Sequence, residues 1–172
     1  NGTVHEFIQQ RREDAAANTT SWMIIGLLEA HRQNHAEAVA AFEQAETKRP
    51  DDASPCWMLG RSLTELDRHT DAAVALERAI TKNPDRASLL QIYQDLGRAY
   101  RRAQQPDKAN DVWQRMETKF PTDIRVKEQI AATLLDEGDF ENCLRRYEEL
   151  ATLQTDPSLA AQSRMIVGDL QM

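Results

Sequence analysis

A glycine recurs in this chain at one place within a fixed frame, and that recurrence limits the fold more than any other feature. Trp22-x-x-Ile25-Gly26 is followed by Ala38, Phe42, Ala45 and Pro50. Cys56-x-x-Leu59-Gly60 is followed by Ala72, Leu76, Ala79 and Pro84. Tyr93-x-x-Leu96-Gly97, with Tyr100 just after it, is followed by Ala109, Trp113, Met116 and Pro121. The first step is 34 residues for both Gly26 to Gly60 and Pro50 to Pro84; the second is 37, which puts three extra residues near Arg86 to Leu89. A weaker fourth copy holds Ile130-Ala131, Leu134, Cys143, Tyr147 and Leu150, with alanine in the glycine slot and its proline two residues late, at Pro157. A fifth opening stands at Arg164-x-x-Val167-Gly168. Self-similarity at such a period marks a stack of small repeated units.

The pattern inside each unit is helical. Over residues 20–33 the apolar residues recur at helical spacing, and Ala38, Ala41, Phe42 and Ala45 repeat it over 36–48. WMIIGLLEA, residues 22–30, is the most apolar stretch of the chain. It is too short for the ~20 residues of a membrane span and too helical in period for a strand, so it reads as the buried first helix of the first complete unit. A glycine within a helix costs about 1 kcal/mol relative to alanine. Its return at one spacing implies a crossing where another helix comes too close for a side chain. Alanine early in the second helix is the expected small partner. The large residue four positions later (Phe42, Leu76, Trp113, Tyr147) is expected to fill the wider gap. Pro50, Pro84 and Pro121 end second helices, since proline cannot sit inside one.

These slots resemble the tetratricopeptide repeat (TPR) family, whose unit is a 34-residue helix–turn–helix. The resemblance covers residues 19–157, as units at about 19–52, 53–86, 90–123 and 124–157, with 158–172 as the first helix of a further, truncated repeat. It implies an all-α fold, a right-handed α-solenoid of antiparallel helix pairs (the TPR superhelix). The N-terminal segment 1–18 contains TVHEFIQQRREDAAA at 3–17, which reads as a helix with Val4, Phe7 and Ile8 as a short apolar stripe. It is expected to be a degenerate preceding repeat or a cap packed on Trp22 and Ile25, since a solenoid needs its ends covered; a disordered linker is the alternative. Because the sequence opens on Asn1 rather than methionine, it reads as part of something longer.

The residue types needed for catalysis do not assemble. There is no Gly-rich phosphate loop, GxSxG or HExxH. His31 and His35 have the i,i+4 spacing of metal ligands, but Gln33-Asn34 mark a turn between them. His35 and His69 instead occupy equivalent turn slots, filled by Pro106 and Phe140 in the next two units, where the resemblance implies a ring packing across the turn. Cys56 and Cys143 both fall in helical patterns and read as small buried apolar residues rather than redox or metal groups. Asp51-Asp52 and Asp136-Glu137 sit at helix starts or turns, where carboxylates cap or are solvated. No enzyme active site, cofactor or metal is expected. A formal net charge of -7 disfavours wholesale phosphate-backbone binding, so nucleic acid is not expected as a partner. Membrane insertion is not expected either. The sequence does not fix a compartment; a soluble location is expected, with the cytoplasm slightly ahead.

Function is expected on a binding surface. The resemblance implies a protein-binding scaffold whose first helices line a concave groove. Carried over residue by residue, its groove positions are Met23 and Leu27; Trp57 and Arg61, with Thr64 or Glu65; Gln94, Arg98 and Arg101, with Arg102 and Gln91; and Arg125, Glu128 and Ala132. The middle of that list is cationic, and arginine presents a planar donor fork suited to carboxylates. A peptide or protein partner with acidic residues and an apolar anchor is therefore expected. The alternative is that the arginines are solvated or paired with Glu65, Asp95 and Glu128. The chaperone-docking clamp of some TPR domains is not expected, because Met23, Leu27, Met58, Gln91 and Asp95 hold its slots. Two other functional readings stand beside the binding module. One is the regulatory or substrate-presenting arm of a larger enzyme; the other is self-association through the terminal half-repeat, whose Met165, Ile166 and Val167 form an apolar patch.

Overall fold

The same backbone turn is built four times from four unrelated sequences. Gln33, Asp67, Gln104 and Gly138 occupy corresponding slots, and all take left-handed backbone angles, with φ of 65°, 58°, 58° and 73°. The N–H of the next residue reaches back five positions in each case: Asn34 to Glu29, Arg68 to Leu63, Gln105 to Tyr100 and Asp139 to Leu134. This is the Schellman closure, which satisfies carbonyls left over at a helix C-terminus. The carbonyl of that same residue then accepts from Ala38, Ala72, Ala109 and Cys143, opening the following helix. The opposite ends are set by aspartate. Asp52 accepts from the Ser54 N–H, Asp85 from Ala87 and Ser88, and Asp123 from Arg125. Each caps a helix that starts just past Pro50, Pro84 or Pro121.

The computed structural model describes residues 2–14, 19–136, 138–153 and 157–170. The expectations that fall on Ala15 to Ala17 and on Glu137 lie outside them. The described residues form ten helices and no strand: α1 (Gly2–Asp14), α2 (Thr19–His31), α3 (His35–Lys48), α4 (Ala53–Glu65), α5 (His69–Thr81), α6 (Arg86–Arg102), α7 (Pro106–Lys119), α8 (Ile124–Asp136), α9 (Phe140–Leu153) and α10 (Pro157–Leu170). The fold is all-α, with antiparallel helix pairs of the solenoid kind. The three extra residues of the third unit lengthen its first helix: α6 has 17 residues where α4 has 13. The added turn lies at its N-terminus, over the Asp85 cap.

The chain forms two compact units, Asn1–Asn110 and Asp111–Met172. In the first, α2 packs on α3, α3 on α4, α4 on α5 and α5 on α6, while α4 also touches both α2 and α6. The first helices α2, α4 and α6 thus lie side by side. Its core holds Ile25, Phe42, Leu76, Ile92 and Leu96. Helix α1 packs on α2 through Ile8, which is buried with Ile25 and Ala41 beside Trp22 and Leu28. Val4 and Phe7 remain exposed, and the Arg11 guanidinium lies 5.0 Å from the Phe7 ring centre. Only part of the α1 stripe is therefore buried. In the second unit α8 packs on α9 and α9 on α10, around a core that includes Trp113, Met116, Ile130, Leu134 and Leu150.

Gly26, Gly60 and Gly97 are buried, whereas Gly168 of the fifth opening is exposed with no atom close to where a side chain would start. What they face differs from the expected alanine. A Cβ on Gly26 would penetrate the Phe42 ring, and one on Gly60 would stand 2.6 Å from Leu76 Cγ and 3.2 Å from the Ala72 carbonyl oxygen. The large residue of the second helix therefore sits on the glycine itself rather than in a gap beside it. The alanine's part is to bring its backbone close. In the second unit Ala131 takes the glycine slot and is fully buried.

An added methyl would meet the branch carbon of Leu76, which is fully buried, and the Ala72 carbonyl, which is backbone, and neither gives way cheaply. Gly60→Ala should therefore destabilise the protein by roughly 1–3 kcal/mol, in spite of the ~1 kcal/mol gain in helix propensity. In a double-mutant cycle followed by urea unfolding, Gly60→Ala with Leu76→Ala should cost less than the sum of the two single changes. Simple additivity would show that the two residues do not compete for space.

Candidate protein-interaction face

Side by side, α4 and α6 bring four of their longest polar side chains to one place. A cleft of ≈ 210 Å³ between them is lined by Arg61, Thr64 and Glu65 from α4 and by Asp95, Arg98 and Arg102 from α6. Arg61 and Glu65 are one turn apart, as are Arg98 and Arg102. The arginines stand in the C-terminal halves of their helices, where a cation is favoured by the helix dipole. Arg61, Arg98, Arg102 and Glu65 form no hydrogen bond or ion pair with any described residue. Asp95 is held differently, accepting a 2.8 Å hydrogen bond from the Trp57 indole N–H. The expected alternative pairing of the arginines with Glu65 and Asp95 is thus absent among the described residues.

A second cleft adjoins the first. It measures ≈ 320 Å³ and is lined by Leu27, Ala30, Phe42 and Met58, with Gln33, His35, Arg61, Ser62 and Glu65 at its polar parts. Arg61 and Glu65 therefore line both clefts. Leu27 keeps 46% of its surface exposed, so α1 does not cover it.

Of the residues expected at a binding groove, Arg61 and Arg98 meet in the arginine cleft, and Leu27 lines the apolar one. Arg102 rather than Arg101 completes the cationic set; Arg101 is half-buried and has partners of its own. Met23 and Gln94 are half-buried and line neither cleft. Trp57 lines a third cleft, of ≈ 220 Å³, with Asp51, Asp52, Lys82 and Asp85. Arg125 belongs to the second unit, where it is exposed and its backbone N–H completes the Asp123 cap. The sequence reading missed Ala30, Phe42 and Met58 as cleft walls. Met58 could have been found from its position, one residue past Trp57 and two turns before Glu65.

Two sequence profiles, both described as tetratricopeptide repeat, match residues 29–96 and 93–123 and together span more than half of the chain. The chain belongs to the tetratricopeptide repeat family. No curated protein matches it in sequence. Solved structures, TPR proteins among them, share its fold at low identity. One is the crystal structure of YrrB, a TPR protein with an unusual peptide-binding site: 16% identity, TM-score 0.62, covering 95% of this chain and 81% of that one. The crystal structure of MamA gives 19% identity and TM-score 0.66, covering 88% and 89%. A TPR protein from Parabacteroides merdae gives 14% and 0.66, covering 97% and 68%. As a TPR protein, the chain is a protein–protein interaction scaffold, of a family whose members are generally non-catalytic. Among the described residues no helix is long and apolar enough to cross a membrane, and no group of three or more metal-binding side chains converges.

The TPR hairpins of each unit are also tied by a carboxylate that the sequence reading did not find. Glu46 of α3 accepts from Cys56 Sγ of α4 at 2.9 Å, from Arg78 Nε and Nη2 of α5 at 3.0 and 2.9 Å, and from Lys82 Nζ at 3.3 Å. Glu117, in the corresponding slot of α7, accepts from Lys127 of α8 at 3.4 Å and from Arg146 of α9 at 2.7 Å. In each case a second helix is bound to both helices of the next hairpin. Burial alone would push the Glu46 carboxyl up. Hydrogen bonds from Arg78 and Cys56, with the charges of Arg78 and Lys82, outweigh it and hold the group at about 2. Burial and the neighbouring Glu46 push the Cys56 thiol up, which keeps it protonated as a donor. Cys56 is thus buried, as expected, but it is a hydrogen-bonding member of the node rather than a plain apolar filler.

The folded-state value for Glu46 lies below its reference of 4.5, so the node's contribution is complete above about pH 5 and is lost as pH falls through 4.5 toward 2. The drop from 4.5 to about 2 corresponds to roughly 3.5 kcal/mol at ~1.4 kcal/mol per pKa unit; Glu46 keeps 20% of its side-chain surface, and solvent screening leaves about 1–2 kcal/mol of it. Urea midpoints measured from pH 7 to pH 2 should fall more steeply for the wild type than for Glu46→Gln. Parallel curves would remove this carboxylate from the acid response.

Proposed function

We propose that this TPR chain recruits a partner protein by binding an acidic segment of it on the face formed by α2, α4 and α6. The observation that carries the reading is the convergence of Arg61, Arg98 and Arg102 on one cleft with no ionic partner among the described residues. The three arginines are exposed and hydrated, but like charges gathered on one cleft repel one another, and a carboxylate-bearing ligand relieves that repulsion through bidentate hydrogen bonds. The apolar cleft beside them gives the partner somewhere to place a hydrophobic side chain. YrrB, of the same fold, is a TPR protein with a peptide-binding site, and repeat arrays commonly bind along such faces.

Arg98→Glu combined with Arg102→Glu tests this directly. Both residues are exposed, so helicity and melting should stay at wild-type values. Partners captured by the wild-type chain from a lysate should be lost by the variant, and wild-type capture should weaken with added salt. Unchanged capture by a folded variant rules out an arginine-lined site.

A further inference from the structure

Resting on that reading, we infer that the face selects a short acidic–hydrophobic segment, with one apolar side chain and a carboxylate within about one helical turn, and that Glu65 confines the acidic residues to one side of the apolar anchor. The two clefts, one on the α2 side of α4 and one on its α6 side, share a wall made of Arg61 and Glu65, so they adjoin across the width of those two side chains. A ligand filling both must carry its apolar group and its carboxylate across that short distance, which an i,i+3 or i,i+4 pair on a helix spans, as does an i,i+2 pair in an extended chain. The apolar cleft, at ≈ 320 Å³, is at the bottom of the ~300–1,000 Å³ range of small-molecule pockets. It suits one large side chain against Leu27, Ala30, Phe42 and Met58. The arginine cleft has no apolar lining residue, and its three arginines outnumber the carboxylates of Glu65 and Asp95 that line it with them, so it accepts the charge.

Glu65 supplies the polarity. It faces both clefts and has no partner among the described residues. A carboxylate over Arg98 and Arg102 lies on the α6 side of it and is held. A second carboxylate on the α2 side meets Glu65 with Arg61 as the only arginine lining that cleft, and is disfavoured relative to one over Arg98 and Arg102. The face therefore accepts an acid on one flank of the anchor and rejects acids on both.

The test is selection from a random dodecapeptide display library against the intact chain, run in parallel on the wild type, Leu27→Ser, Arg98→Glu with Arg102→Glu, and Glu65→Gln, each checked for helicity. Wild type should enrich peptides with one Leu, Ile, Met or Phe and an Asp or Glu within four positions on one flank. Synthetic copies of those peptides should bind Leu27→Ser and the double arginine variant each about tenfold more weakly. Glu65→Gln should also enrich peptides with acids on both flanks. Peptides that depend on Arg98 and Arg102 but carry no anchor, or ignore Leu27→Ser, overturn this inference and leave the arginine-lined face standing. Peptides indifferent to the arginine changes, or no enrichment over an unrelated protein, overturn both. An unchanged motif from Glu65→Gln removes Glu65 from its role.

Discussion

Two helices can approach only as closely as the side chains between them allow. In the first unit that limit is set where Phe42 lies against Gly26 and Leu76 against Gly60. A methyl group at either glycine would force the hairpin open, because backbone or a packed side chain already occupies the space. The close crossing fixes how each first helix lies against its own second helix, and through the α3–α4 and α5–α6 packing it fixes the spacing of successive first helices. The binding face follows from that spacing. Arg61 on α4 and Arg98 and Arg102 on α6 share a cleft because these helices are neighbours, although 37 residues of chain separate Arg61 from Arg98.

Much of this was legible from the residues. The glycine slot, the prolines and the helical spacing give nine of the ten described helices and the short turns between paired ones, and the Val4–Ile8 stripe gives the tenth. The extra residues at Arg86 to Leu89 were visible as an insertion but not as an added helical turn, since insertion in a loop produces the same spacing. The partner of the glycine was misplaced for a related reason. Slot recurrence shows that a small residue is needed, yet only the crossing geometry shows which residue lies over it.

The face itself was half legible. Repeat register finds Arg61 and Arg98, which occupy one slot in successive units. It does not separate Arg101 from Arg102, because adjacent residues differ by ~100° around a helix and both positions border the first-helix face. The Glu46 and Glu117 nodes were invisible for another reason. Their bonds join residues ten to thirty-six positions apart, and the two nodes use different donors, a thiol, an arginine and a lysine in one and a lysine and an arginine in the other. The tight turns show the same economy of sequence, since glutamine, aspartate and glycine all serve at the left-handed position. Their geometry is enforced by the two helices on either side more than by the residue present.

Stacked repeats hold together through an intrinsic stability for each unit plus a coupling between neighbours, much like spins in a row. Glu46 and Glu117 belong wholly to the coupling, for each binds a hairpin to the one that follows. A proton on Glu46 leaves the interior of each hairpin intact and weakens only the grip of α3 on the α4–α5 pair. Acid therefore acts at this junction as a solvent for cooperativity, loosening the bond between neighbours before it touches the neighbours themselves.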